Sequence, residues 1–184
     1  MTERNLTVTN PLTPKTFAEA KQFAEMICRS DFVPAAFKGN AGAVLAAIQF
    51  GAEVGLAPLA ALQNIAVING KPSIYGDAIP AICMTHRDFV SMKEDFDDST
   101  MTATCTATRK GNAPFIGKFS KADAEAAGLW AKQGPWKQYP HRMLQMRARG
   151  FALRDAFPDA LKGMISREEA EDYAPIKVVN PNPV

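Results

Sequence analysis

The chain is poor in the residues that most often carry metal or covalent chemistry. Its 184 residues include two histidines and three cysteines. His86 and His141 are far apart and lack the HxxxH spacing of a helical metal pair. Cys28, Cys83 and Cys105 are an odd, widely spaced set without CxxC pairing, which argues against a disulfide framework or a zinc site and reads as reduced thiols in a cytosolic protein. No apolar run approaches the roughly 20 residues of a membrane helix. Met1 to Asn10 is polar and has no apolar signal-peptide region. Acidic residues are absent from one stretch: between Ala126 and Arg154 there are six basic side chains and no carboxylate. The whole chain carries a net charge of only +2, so the positive charge is local and forms a patch rather than a polycation.

What is present fits one domain with a sizeable core. Residues 1–12 read as a flexible lead-in, 13–173 as a single domain, and the proline-rich 174–184 as a flexible tail. Thr16 and Glu19 form a capping box that opens a helix to about Ser30, with Phe17, Ala20, Phe23, Ala24 and Ile27 on one face. Asn40 caps a second helix that Gly55 ends, and Pro58 suits the first turn of a third. Ile65–Ile68, Asn69-Gly70 and Lys71–Tyr75 predict a hairpin with a type I′ turn, its second strand kept short or at an edge by Pro72. A helix near Asp77–Thr85 follows. Three strand-like runs, Phe89–Phe96, Thr100–Thr108 and Pro114–Phe119, are joined by turn residues and predict an antiparallel meander. The middle run alternates threonine with Met101, Ala103, Cys105 and Ala107. Ser120 and Asp123 start another helix, 131–139 reads as a loop, and Ser166 to Glu169 caps a short acidic helix.

The acid-free window spans that loop and a long helix from Pro140 to just before Pro158. Its bases are Lys132, Lys137, Arg142, Arg147, Arg149 and Arg154, interleaved with Trp130, Trp136, Tyr139 and Phe151. Cations hold phosphates and flat rings stack on bases, so the pattern points to a single-stranded polyanion. At 100° per residue, Met143, Met146, Gly150, Leu153 and Phe157 form a stripe that packs on the sheet. Arg147 and Arg154 flank one side of it, Arg142 and Arg149 the other. Leu144, Ala148 and Phe151 form a second apolar strip behind. Arginines beside an apolar stripe also snorkel and pair with carboxylates; Asp155, Asp159 and the 168–172 acids are available for that. Lys71 in the hairpin and Lys118 on the meander are further groove-wall candidates.

Other chemistries are weaker. Gly111 to Phe119 imitates a phosphate-binding loop, but it has one residue too many between its glycines, Phe119 in place of the metal-binding hydroxyl, and Pro114 inside. No ATP site and no cofactor is expected; a magnesium dependence of DNA binding stays open. Asp95, Asp97 and Asp98 could serve a metal-dependent nuclease or form a solvated hairpin tip. Cys83 near His86 lacks an orienting third group. A sequence-specific duplex-binding regulator, and an oligomer whose arginines serve only subunit contacts, are the remaining alternatives.

The segment Gly134-Pro135-Trp136-Lys137-Gln138-Tyr139-Pro140, followed by Arg142-Met143 and the basic helix ending Phe157-Pro158, resembles the phage RecT family of single-strand annealing proteins. Gly55-Leu56-Ala57-Pro58 and the Asn69-Gly70-Lys71 hairpin resemble that family's early region. The likeness covers roughly 45–172 and implies an α+β fold, an antiparallel sheet crossed by a long helix. It also implies ATP-independent annealing of complementary strands, assembly as rings or helical filaments, a partner phage exonuclease, and no covalent catalysis. By this resemblance Arg147, Arg149 and Arg154 contact DNA in the cytoplasm of a bacterial host. Asp155 stands where family members commonly have lysine, and a segment that contacts the host single-strand-binding protein is expected to be missing at the C-terminus.

Overall fold

A computed structural model describes residues 12–68 and 70–173. The flexible ends expected over 1–12 and 174–184 lie, Leu12 apart, outside the described residues, as does Asn69 of the hairpin turn. The chain divides between Asn64 and Ile65 into two compact units.

The first unit is helical: α1 (Phe17–Ile27), a 3-10 turn (Ala35–Phe37), α2 (Ala41–Glu53) and α3 (Pro58–Asn64). Thr16 caps α1 by accepting the Glu19 amide, while the Glu19 carboxylate reaches one residue further back than the capping box predicts, to the Lys15 amide at 2.7 Å. Asn40 caps α2 by accepting the Ala43 amide at 2.9 Å. Gly55, at φ +81°, ends it: the Leu56 amide returns to the Gly51 carbonyl and the Gly55 amide to that of Ala52, a Schellman closure. The core of this unit is Ala24, Cys28, Val33, Phe37, Val44, Ala47, Ile48 and Leu62. Phe17 is exposed, contrary to the periodicity, which makes it the outermost position of its face.

The second unit is mixed, so the protein has the expected α+β class. It opens with the hairpin of β1 (Ile65–Ile68) and β2 (Lys71–Ile74), paired antiparallel with Val67 opposite Pro72. After α4 (Ala78–Met84) come β3 (Phe89–Asp97), β4 (Thr102–Arg109) and β5 (Phe115–Ser120), an antiparallel sheet in the order β3-β4-β5. Alternation on β4 sorts the sheet's faces: Ala103, Cys105 and Ala107 are buried, and the threonines between them face the other way. Ser120 and Asp123 form a reciprocal capping box for α5 (Lys121–Ala126).

Helix α7 (Pro140–Ala156) crosses the buried face of this sheet, lying chiefly on β5 and β4. Gly117 permits the approach. A Cβ there would stand 2.7 Å from the Ala152 nitrogen and closer still to the Ala148 carbonyl. The 3, 4, 3, 4 stripe of Met143, Met146, Gly150, Leu153 and Phe157 is buried, but it does not face the sheet as expected. The strip behind it does, with Ala148, Phe151 and Ala152 against Gly117, while Met146 faces Gly76 and Gly150 faces Glu169. Two short helices fall where none is predicted. The loop over 131–139 contains α6 (Pro135–Gln138), and Pro158 opens α8 (Pro158–Leu161) instead of simply closing the helix before it. The acidic helix α9 (Arg167–Ala170), capped by Ser166, meets α7 and the hairpin; the Ile74 amide bonds the Ile165 carbonyl at 3.0 Å.

Candidate nucleic-acid interface

The arginine rows on α7 each converge on a shared carboxylate. On one side, Arg149 clamps both oxygens of Glu94 on β3, Nε and Nη2 each at 2.8 Å, and donates from Nη1 to Asp77 at 3.0 Å. Arg142 reaches the same Asp77 oxygen and donates to Gln145 at 2.8 Å. On the other side, Arg154 pairs with Glu169 of α9, and Arg147 Nη1 lies 3.5 Å from the same carboxylate. Arg147 Nη2 also donates to Asp172 at 2.8 Å. Asp172 accepts in addition the Trp136 indole N–H at 2.9 Å and the Lys132 ammonium at 3.0 Å. The Tyr173 hydroxyl donates to Glu169 at 2.9 Å.

These contacts engage several of the residues expected to hold a strand with carboxylates of the same unit. Arg147 is 8% exposed, Arg149 5% and Trp136 3%, so none of the three lies on an open, phosphate-facing surface. Arg154 and Lys132 are also held by carboxylates of the same unit. The cause is the cost of burying charge: a guanidinium taken out of water must be paired and hydrogen-bonded. Burial works against the charge of Arg149, yet its hydrogen bonds to Glu94 and Asp77 hold its pKa above the ordinary arginine value. The Arg147 Nε atom remains buried without a partner among the described residues.

The exposed cations are mostly lysines. Lys71, Lys110, Lys118, Lys137 and Lys162 of the second unit are exposed, and no ion pair joins them to a carboxylate among the described residues. Lys137 lies on α6, two residues before Tyr139, which is 65% exposed at the α6–α7 junction. Lys71 begins β2 beside Gly70, at the hairpin tip. Lys118 does not join the α7 cations; its neighbours Gly117 and Phe119 face the helix, so it projects from the opposite face of the sheet. Sequence reasoning missed Lys110, in the β4–β5 turn, and the stack of His141 on Phe96 at 4.4 Å.

The residues considered for other chemistry are engaged differently. Asp97 closes the β3–β4 turn, accepting from the Ser99 hydroxyl at 2.6 Å and the Thr100 hydroxyl at 2.8 Å, which holds its carboxyl down to about 2. Asp95 pairs with Lys93 at 2.8 Å, and Asp98 lies 4.0 Å from His141. Among the described residues no group of three His, Cys, Asp or Glu side chains is placed to hold a metal ion. Cys83 is buried, and burial pushes its thiol up to about 12. His86 faces Asp159 at 3.4 Å rather than the thiol, and Asp159 is gripped by Arg109 through two 2.7 Å bonds. No single helix among the described residues is long and apolar enough to cross a membrane.

Comparison with curated proteins returns no match. The RecT family model matches residues 83–181, more than half of the chain, from the end of α4 through the sheet, α7 and α9. The matched span is the part of the molecule in which the meander and the basic helix are locked together, and the chain therefore belongs to the RecT family of single-strand annealing proteins.

Proposed function

We propose that this protein binds single-stranded DNA and anneals complementary strands without ATP, as a ring-forming or filament-forming oligomer in phage homologous recombination. The observation that carries the reading is the family match over the whole sheet-and-helix body. The exposed Lys137 and Tyr139 at the entry to α7, with Lys71 on the hairpin, supply the group types the activity needs. Ammonium groups hold phosphates, and an exposed ring stacks on a base of any sequence. The paired Arg142, Arg147, Arg149, Arg154 and Lys132, with Trp136, act one step back. They fix α7 against β3, α4 and α9, and so position the surface that meets the strand.

No covalent step is required. A strand held by its backbone keeps its base edges available, and base pairing with a second strand supplies the free energy. One unit of this size covers few nucleotides, so neighbouring copies extend the track. The reading places the protein in the cytoplasm of a bacterial host beside a phage exonuclease that supplies single strands, with no membrane partner. Contact with a host single-strand-binding protein would need a segment outside 12–173.

Fluorescence anisotropy without nucleotide tests the binding half. The expected result is preference for single strands of any sequence over duplex, falling with salt. Preference for one duplex sequence would instead identify a regulator, and degradation of the oligonucleotide in magnesium a nuclease.

A further inference from the structure

The three-stranded sheet has two open edges. Among the described residues β3 pairs only with β4, and β5 only with β4. The edges match in length. From Ser91 to Asp97, beyond the irregularity at Phe89/Ser91, β3 keeps continuous register, and β5 has 6 residues. Because both are antiparallel to β4, β3 and β5 run in the same direction.

The charges on the two edges differ in sign. On the face away from α7, β3 carries Lys93, Asp95 and Asp97, whereas β5 carries Lys118, with Ile116 and Ser120 beside it. Cross-strand register places Asp95 opposite Thr104, and Thr104 opposite Lys118, so Asp95, Thr104 and Lys118 form one row across the sheet. The Asp95 carboxylate is 2.8 Å from Lys93 and still exposed; Lys118 has no carboxylate partner among the described residues. Ile116, 60% exposed, adds an apolar side chain to the β5 edge.

We propose that β5 of one copy pairs with β3 of the next copy, in parallel, so that the sheet continues from subunit to subunit with Lys118 beside Asp95 of its neighbour. Continuing the rows without a slip brings these two groups together about 5 Å apart on one face, where opposite charges attract. A slip of two residues in one direction sets Lys118 against Lys93 instead. Two β5 edges would meet with no carboxylate between them, so of the edge pairings that use β5, pairing with β3 is the one that brings Lys118 to an opposite charge. Backbone hydrogen bonds supply the affinity, and the charges select partner and register. A contact between two different edges is head-to-tail, which closes as a ring or continues as a helix. The proposal rests on the oligomeric reading above and gives it a specific interface.

The test uses two variants, Asp95→Lys and Lys118→Glu, both at exposed positions, with circular dichroism to verify folding. Assembly is followed by sedimentation velocity without DNA and, separately, with an oligonucleotide. Each variant alone sets like charges across the junction and raises the concentration needed for assembly about tenfold or more. An equimolar mixture restores assembly, because each junction then joins Lys to Asp or Glu to Lys. Variants that assemble singly like the unmodified chain, or a mixture of folded variants that does not recover, overturn the edge contact while leaving the oligomeric reading in place. An unmodified chain that stays monomeric with and without oligonucleotide overturns the oligomeric reading and the edge contact together.

Discussion

Arg149 on α7 holds both carboxylate oxygens of Glu94 on β3, with Nε and Nη2 each at 2.8 Å. This fork joins the basic helix to the far strand of the meander, while α7 itself lies mainly over β4 and β5. Removing one partner breaks the fork and leaves a largely buried charge short of its partner, Arg149 then keeping only Asp77. Arg149→Ala is expected to lower stability by about 3 kcal/mol, and Glu94→Gln by a similar amount. In urea denaturation the double variant should cost clearly less than the sum of the single ones. Strict additivity would mean that the two side chains are not coupled.

The division between paired arginines and exposed lysines predicts two kinds of DNA-binding defect. Lys137→Ala should leave stability unchanged and reduce the salt dependence of single-strand binding by about 0.7 for one lost phosphate contact. Tyr139→Ala should weaken binding by about 1–3 kcal/mol with the salt slope retained, because stacking releases no counterions. Replacing Arg147 and Arg154 together should lower the unfolding midpoint first, since both meet Glu169. A stable, folded Arg147/Arg154 double variant with a flattened salt slope would return those arginines to the DNA surface.

Much of the fold was legible in the sequence because its signals are local. The Asn40 cap, Gly55, the threonine alternation of β4 and the 3, 4, 3, 4 stripe of α7 each depend on neighbours a few residues away. The state of the basic window was legible only in part: the sequence leaves the 168–172 acids open to pairing, and Glu169 and Asp172 take that role, but nothing local marks Asp77 and Glu94. The window has no acid within it, but Asp77 lies 72 residues from Arg149, and Asp172 lies 36 from Trp136. Only the folded topology brings these carboxylates under the helix. Trp136 shows the same limit: in sequence it sits among polar loop residues, and in the structure its indole is buried with its N–H on Asp172.

At Gly117 the backbones of β5 and α7 approach too closely for a side chain between them. Gly117→Ala would drive a methyl group into the helix backbone at Ala148 and Ala152 rather than into a movable side chain. A loss of about 1–3 kcal/mol is expected in thermal or urea unfolding. An unchanged midpoint would show that helix and sheet separate easily, which conflicts with the packing.

Acid sensitivity should draw on Asp159, as on Asp97. Hydrogen bonds from Arg109 hold the Asp159 carboxyl down to about 2, against an ordinary 3.8. A carboxyl whose folded pKa is depressed stabilises the fold above its ordinary pKa, and the contribution is lost as pH falls through the folded value. The loss therefore falls between about pH 4 and pH 2. Asp159→Asn should be less stable than the parent chain at pH 7, with the difference shrinking over that window. Urea midpoints measured against pH would check this; a difference that grows on acidification would contradict the assignment.

Annealing by this protein should need no covalent chemistry. Its most direct test adds the protein to one fluorescent oligonucleotide and then adds the complementary strand, with no nucleotide present, following duplex formation by energy transfer. Duplex formation well above the spontaneous rate, with both strands recovered intact, is the expected result. Spontaneous-rate pairing by folded, strand-bound protein would contradict it.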